Sequence, residues 1–81
     1  MAAASESERQ ILGDNIRRRR QKLDWSQEQL AAEAGEMRQA TISEIETAVG
    51  NPEWETLEKI AAALGTTIRE LLTPARRRPA K

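Results

Sequence analysis

Hydrophobic and polar positions alternate along most of the chain with the period of a helix. Between residues 9 and 23, apolar side chains recur at Leu12, Ile16 and Leu23, and Arg20 lies close to the same stripe. Residues spaced by three, four or seven positions share one face of a helix. The pattern therefore predicts an amphipathic first helix over this segment.

A second, shorter helix is predicted to begin after Ser26. Ser26 and Gln29 have the spacing of a capping box, in which the hydroxyl accepts from the Gln29 amide and the Gln29 side chain reaches back. The inner face carries small or medium apolar residues that let another helix approach closely: Leu30, Ala31 and Ala34. Gly35 is suited to a left-handed cap at the end of this helix.

A third helix is predicted from about Gln39 to Thr47. At about 100° per residue, Ile42 and Ile45 share the buried face. The residues that then point away from the core are Ala40, Ser43, Glu44 and Thr47, with Gln39 at the exposed N-terminal end. Few large apolar residues remain on that outer face, which is therefore smooth and polar.

Two further helices follow a loop formed by residues 48–50. Asn51 and Pro52 are predicted to be the N-cap and the first-turn residue of the fourth helix, which Gly65 ends. Thr67 and Glu70 form a second capping box, which opens a short fifth helix. The apolar stripes are Trp54, Leu57, Ile60, Ala61 and Leu64 in the fourth helix and Ile68, Leu71 and Leu72 in the fifth.

Composition agrees with one small all-α domain. The 81 residues are rich in Ala, Leu, Glu, Gln and Arg, which favour helices, and poor in the residues that favour strands. No apolar run approaches the ~20 residues of a membrane span, and the polar, acidic N-terminus is unlike a signal peptide. The sequence thus predicts a cytoplasmic protein that does not enter a membrane.

Missing residue types argue against an enzyme. The chain has no Cys and no His, so disulfides, thiolate chemistry, the common zinc ligands and imidazole acid–base catalysis are excluded. Its carboxylates lack the spacing of a cation-binding loop. We therefore expect no catalytic residue, no metal site and no cofactor.

Charge is balanced overall but unevenly distributed. Thirteen basic and thirteen acidic residues give a net charge of zero. Residues 9–25 carry a net +4, residues 26–48 a net −4 and residues 76–81 a net +4. The basic charge therefore lies beside the second and third helices and not on them.

Taken together, these segments resemble the Cro/cI-type helix-turn-helix family, also called Xre-like or lambda-repressor-like. The resemblance runs from about residue 11 to residue 72 and rests on NIRRRRQKL, WSQEQLA, the turn glycine, QATISEIE, NPEWETLEKIAAALG and TTIRELL in this order. It implies an all-α fold of five helices, in which helices 2 and 3 form the helix-turn-helix. The expected organisation is a flexible arm at 1–8, a DNA-binding domain at 9–73 and a flexible basic tail at 74–81.

The sequence departs from the family's pattern in three ways. One extra residue, Glu36 or Met37, stands between the turn glycine and helix 3. Ala48 replaces the glycine common after helix 3; since a left-handed alanine costs about 1 kcal/mol, helix 3 is expected to continue further. Val49 and Gly50 replace basic residues of the following loop, so some phosphate contacts are missing.

The resemblance assigns base contacts to the N-terminal part of helix 3. Gln39 is expected to read an adenine edge with both amide atoms; the alternative is a capping or surface glutamine. Ala40 would meet a thymine methyl group, Ser43 a base or a phosphate, and Arg38 a phosphate or a guanine. Glu44 would either accept from cytosine N4 or play no part.

Phosphate contacts are expected at Gln27, Ser26, Arg17 and Thr47. Gln27 stands at the start of helix 2, where backbone N–H groups and the helix dipole favour an anion. Arg20 and Glu46 match a family ion pair that joins helix 1 to helix 3.

Other side chains receive structural or assembly roles. A solvated arginine face is the interpretation for Arg18 and, as an alternative, for Arg17 and Arg19. The two tryptophans, Trp25 and Trp54, are expected at the core or its edge. The dimer contacts suggested by the resemblance are Ile68, Leu72 and Val49.

The function implied by the resemblance is a homodimeric repressor that binds a palindromic operator in double-stranded DNA, most simply that of its own operon. An antitoxin that binds a toxin protein is one alternative. A helix-turn-helix domain that has lost DNA binding and serves as a protein-interaction adaptor is the other.

Overall fold

The computed structural model describes residues 6–75, and this part of the chain folds into five helices without a strand. The helices are α1 (Glu6–Lys22), α2 (Gln27–Glu33), α3 (Gln39–Glu46), α4 (Trp54–Leu64) and α5 (Ile68–Leu71). The expected all-α fold is confirmed. No helix in this range is long and apolar enough to span a bilayer. Because α1 begins at Glu6, it includes three residues that were assigned to the arm; residues 1–5 and the basic tail from 76 onward lie outside the described range.

One aliphatic core joins all five helices. Its fully buried large side chains are Ile16, Leu30, Ile42, Ile60 and Leu71, one from each helix. Each such side chain contributes about 1.5–3 kcal/mol by leaving water. The core therefore holds α1, α4 and α5 behind the α2–α3 pair and leaves one side of α3 facing solvent.

The predicted N-caps of α2 and α5 are present. Ser26 Oγ accepts a hydrogen bond of 3.0 Å from the Gln29 amide, and the Thr67 hydroxyl accepts one of 3.1 Å from the Glu70 amide. The reciprocal half of the first capping box is absent, because the Gln29 side chain donates to Glu33 at 3.1 Å instead. These caps satisfy amides that no helix carbonyl can reach.

The predicted start of α4 is two residues too early. Its N-cap is Glu53, which makes no side-chain capping bond, while Asn51 and Pro52 precede the helix. The Asn51 side chain instead accepts a long hydrogen bond of 3.4 Å from Arg9 of α1. Asn51 and Pro52 therefore belong to a loop that contacts α1, and neither caps α4.

Two residues predicted on the apolar stripes of helices 1 and 4 are exposed. Leu23, 45% exposed, follows the last residue of α1, and Trp54, 61% exposed, is the first residue of α4. Each residue stands at the end of its helix's apolar stripe, where the neighbouring helices no longer cover it. Trp54 donates to Glu58 at 3.1 Å across one helical turn, whereas Trp25 packs against the core as predicted.

Helix α3 does not continue past Glu46, contrary to the expectation drawn from Ala48. Ala48 has φ 62°, in the left-handed region, and the Val49 amide returns to the Glu44 carbonyl at 2.8 Å. An L-residue in that region costs roughly 1–2 kcal/mol. The closing hydrogen bonds thus hold Ala48 in a conformation that its side chain disfavours.

The turn between α2 and α3 absorbs its extra residue through two consecutive left-handed positions. Gly35 has φ 96° and Glu36 has φ 58°. The amides of Glu36 and Met37 then bond the carbonyls of Ala32 and Ala31 at 3.2 and 3.0 Å. Met37 packs against the core, so the longer turn remains fixed at both ends.

A buried asparagine, which the sequence pattern did not single out, fastens α5 to α1. Asn15 is 3% exposed, and its Nδ2 donates to the carbonyls of Leu71 at 2.7 Å and Thr73 at 2.8 Å. Its Oδ1 accepts from Arg18. One side chain of α1 therefore satisfies the backbone at the end of a helix of only four residues.

Asn15→Ala is expected to lower the free energy of unfolding by about 2–4 kcal/mol, because two carbonyls lose their donor in a largely buried place. Urea denaturation measures the loss, and amide exchange should speed up first in α5. Asn51→Ala, an exposed asparagine, is the matched control and should change stability by less than about 0.5 kcal/mol. Equal losses in the two variants would contradict the role of Asn15.

Candidate nucleic-acid interface

The outer side of α3 is the polar face predicted from the sequence. Ile42 and Ile45 are buried in the core. The residues left on the opposite side are Gln39, Ala40, Glu44 and Thr47, all exposed, and Ser43, which is half-buried. Since no bulky side chain stands among them, another molecule can approach the helix closely.

An ion pair behind this face joins α1 to the C-terminal end of α3. Arg20 Nε lies 2.7 Å from Glu46 Oε2, and Arg20 Nη2 lies 3.0 Å from Glu46 Oε1. The side chains are 12% and 2% exposed. Arg20 also donates to the Trp25 carbonyl at 2.7 Å. The paired geometry matches the bond that the resemblance implies, and the carbonyl fixes the arginine on its other side.

The contact with Glu46 favours the charged form of Arg20. Hydrogen bonding to Glu46 raises the pKa of Arg20 above its ordinary value, although burial acts in the opposite direction. A raised pKa stabilises the fold below the unfolded-state value, and that stabilisation is lost only as the pH rises through the folded-state value. The pair therefore stabilises the fold over the whole physiological pH range.

Gln27 connects the ion pair to the start of α3. Gln27 Nε2 donates to Glu46 Oε1 at 3.1 Å, and Gln27 Oε1 accepts from Gln39 Nε2 at 2.9 Å. Gln27 is half-buried, while Gln39 is exposed. A continuous row of hydrogen bonds thus runs from Arg20 in the interior to Gln39 on the surface.

Arg38 and Glu44 stand at the two sides of this exposed face. Arg38 occupies the N-cap position of α3 without a capping bond from its side chain. Both residues are exposed, and neither forms an ion pair with any residue between 6 and 75. Ala40 offers only a methyl group at the same end of the helix. The face accordingly presents an amide, a methyl, a guanidinium and a carboxylate.

The four residues expected to contact phosphate differ in what they have left to donate. Gln27 retains one N–H, and the Ser26 hydroxyl, which accepts from Gln29, keeps its hydrogen. Thr47 already donates its hydroxyl hydrogen to the Ser43 carbonyl at 2.8 Å. Arg17 pairs with Asp14 at 3.0 Å on the surface of α1, outside the Gln27–Gln39 row.

The arginine run of α1 is distributed over four different partners. Arg17 meets Asp14, Arg18 donates to Asn15, Arg19 lies 3.7 Å from Glu70, and Arg20 meets Glu46. Arg17 and Arg18 are exposed, which agrees with a solvated face, whereas Arg19 and Arg20 are half-buried, because successive residues of a helix point in different directions.

The three residues proposed for a dimer differ in exposure. Val49 is 57% and Leu72 36% exposed, so both are accessible to a second copy. Ile68 is 9% exposed and belongs to the core, where its side chain already has neighbours. An interface at this end would therefore use Leu72 more than Ile68.

Two contacts of this candidate site were not predicted from the sequence, namely the hydrogen bonds that join Gln27 to Glu46 and to Gln39. The partners are 19 and 12 residues apart. No local period relates them, and only the angle between α2 and α3 brings them together. A signal did exist, because a glutamine near the start of each of two adjacent helices permits an amide–amide bond.

Residues 16–71 match the protein family described as helix-turn-helix. A relative described as a hypothetical transcription factor, from Neisseria meningitidis serogroup B, is 37% identical over 70 residues. The aligned part is 86% of this chain and 65% of that protein. The chain thus spans slightly less than two thirds of that relative's length.

The fold is also similar to solved structures of a transcription factor and of two regulators. The crystal structure of the hypothetical transcription factor NHTF from Neisseria has a TM-score of 0.78 and 35% identity, over 91% of this chain and 85% of that one. The clp gene regulator ClgR from Corynebacterium glutamicum has a TM-score of 0.71 and 25% identity, over 79% and 67%. The apo form of the competence regulator ComR from Streptococcus vestibularis has a TM-score of 0.72 and 25% identity, over 88% of this chain and 24% of that one.

Proposed function

The chain belongs to the helix-turn-helix family, and on that premise we propose that it is a sequence-specific DNA-binding transcription regulator and not an enzyme. In this proposal α3 enters the major groove, and α2 braces it against the phosphate backbone. The protein acts in the cytoplasm. The descriptions of the relatives as a transcription factor and as gene regulators support this function.

The observation that carries the proposal is the hydrogen-bonding capacity left to Gln39. One N–H of its amide is used by Gln27, so one N–H and the amide oxygen remain free on an exposed helix end. Adenine offers the N7 acceptor and the N6 donor side by side in the major groove. The free edge of Gln39 is complementary to that pair.

The finer parts of the proposal concern assembly. One recognition helix reads only a few base pairs, so the protein is proposed to act as a homodimer on two half-sites of a palindromic operator, about one helical turn apart. Exposed Val49 and Leu72 support a contact between copies. Repression of its own operon is the simplest regulatory role.

Selection from a random duplex pool, read at about 50 and 200 mM salt, tests the function as a whole. A palindrome that is enriched, and whose binding weakens steeply with salt, is expected because phosphate contacts release counterions. Lack of enrichment at both concentrations would contradict the proposal. A protein partner, such as a toxin or another binding protein, would then be sought by co-purification.

Gln39→Ala is expected to weaken binding to the selected duplex by roughly 1–3 kcal/mol and to relax the preference at one base pair in each half-site. Competition with four duplexes that differ only at that pair measures both effects. Gln29→Ala removes an exposed glutamine of α2 whose side chain bonds only Glu33, and it should change neither the affinity nor the base preference. Unchanged base preferences in the Gln39 variant would remove it from the reading face.

A further inference from the structure

The hydrogen bonds between Glu46, Gln27 and Gln39 run in one direction, and the carboxylate sets that direction. An ionised carboxylate only accepts, whereas a glutamine amide has one end that donates and one that accepts. Glu46 Oε1 must therefore receive the Nε2 end of Gln27, as the distance of 3.1 Å shows. The oxygen end of Gln27 is then turned toward Gln39.

The orientation of the Gln27 amide fixes that of the Gln39 amide in the same way. Facing the oxygen of Gln27, Gln39 turns its Nε2 inward to donate at 2.9 Å. Its own oxygen is left facing solvent together with one N–H. Because Arg20 occupies both oxygens of Glu46 from the opposite side, the carboxylate cannot turn away from this arrangement.

We propose that buried Glu46, acting through Gln27, is a positioning residue that holds the Gln39 amide in the orientation that selects adenine over guanine. This rests on the proposed function, since it concerns the base that Gln39 reads. Glu46 contacts no base. Because Glu46 can only accept, it fixes the orientation of the Gln27 amide, which in turn fixes that of the Gln39 amide at the surface.

The reversed orientation explains why the direction matters for specificity. If Gln27 turned its nitrogen toward Gln39, the oxygen of Gln39 would accept it, and both N–H groups of Gln39 would face outward. Guanine presents two acceptors, N7 and O6, to the major groove, whereas adenine presents one acceptor and one donor. An amide free to take either orientation would accept both purines.

The test measures affinity ratios for duplexes selected by the wild-type chain, with adenine or guanine placed at the position that Gln39→Ala identifies. Gln27→Met removes both amide bonds but leaves the ion pair of Arg20 and Glu46 in place. Glu46→Gln supplies a group that can also donate, so the direction is no longer imposed. The adenine-to-guanine ratio is expected to fall roughly tenfold in each variant.

A rescue variant shows whether the direction of the hydrogen bonds, and not only the presence of a contact, sets the base preference. In Gln27→Glu combined with Glu46→Gln, the acceptor-only group stands one step closer to Gln39, which must again turn its nitrogen inward. The adenine preference should return, even though a carboxylate near phosphate weakens binding to every duplex. Gln29→Met, the same change of side chain elsewhere on α2, should keep the wild-type ratio.

The ratio distinguishes the possible failures. If Gln27→Met weakens binding to both duplexes by the same factor, Gln27 acts only on phosphate and the inference is overturned. If Glu46→Gln does not fold, as circular dichroism would show, the double variant Arg20→Leu with Glu46→Leu takes its place, since it removes the acceptor without leaving a buried charge. An unchanged adenine-to-guanine ratio in that variant would overturn the inference. If the wild type selects no duplex, or Gln39→Ala relaxes no base, the proposed function fails and the inference falls with it.

Discussion

Glu46→Ala is expected to lower the free energy of unfolding by about 3–5 kcal/mol. The substitution leaves the Arg20 guanidinium, whose side chain is only 12% exposed, without its anionic partner. The Trp25 carbonyl still accepts from Arg20 but cannot neutralise it. An unpaired buried charge destabilises the fold by more than the ion pair stabilises it. Most of the lost free energy therefore comes from the Arg20 charge that is left without a partner. Urea denaturation with two independent probes measures it.

The double replacement by leucine, Arg20→Leu with Glu46→Leu, is expected to be more stable than either single variant, since no charge is left buried. Asp14→Ala is the control for an ordinary ion pair, because Asp14 and Arg17 meet on the surface; a loss of at most about 1 kcal/mol is expected there. If the losses of Arg20→Leu and Glu46→Leu add up to the loss of the double variant, the buried pair carries no coupling.

Gly13→Ala is expected to lower the free energy of unfolding by about 3 kcal/mol, at the upper end of the cost of overpacking. A Cβ at this position would lie 2.6 Å from the carbonyl oxygen of Ile45 and 2.7 Å from that of Glu46. Both obstructing atoms are backbone atoms, so no side chain can turn aside to make room. Relief requires α1 and α3 to move apart, which also strains the bond between Arg20 and Glu46.

The isolated first helix should respond to the same change in the opposite way. In a peptide of residues 6–22, Ala in place of Gly13 should raise the helix content, because Ala is better than Gly in a helix by about 1 kcal/mol. Gln10→Ala, on the exposed side of α1, should leave the stability of the protein within about 0.5 kcal/mol. A Gly13→Ala protein more stable than the wild type would show that the close contact is not needed.

Local patterns predicted the helices because the forces that define them are local. Ser26 and Thr67 cap amides three residues away, and Gly65 takes the left-handed conformation that ends α4. The same reasoning failed at stripe ends, for Leu23 and Trp54, because a helical period states which face is apolar and not how far the neighbouring helices reach. It failed at Ala48, where closing hydrogen bonds outweigh the preference of one residue.

The sequence by itself determined the all-α fold, the helix-turn-helix and the outward face of α3, since each depends on residues within one or two helical turns. The resemblance added the pairing of Arg20 with Glu46. Only the tertiary structure decided that Gln27 joins this pair to Gln39, that Asn15 holds the end of α5, and that Gly13 must lack a side chain. These contacts depend on distances between helices, and no spacing along the chain encodes them.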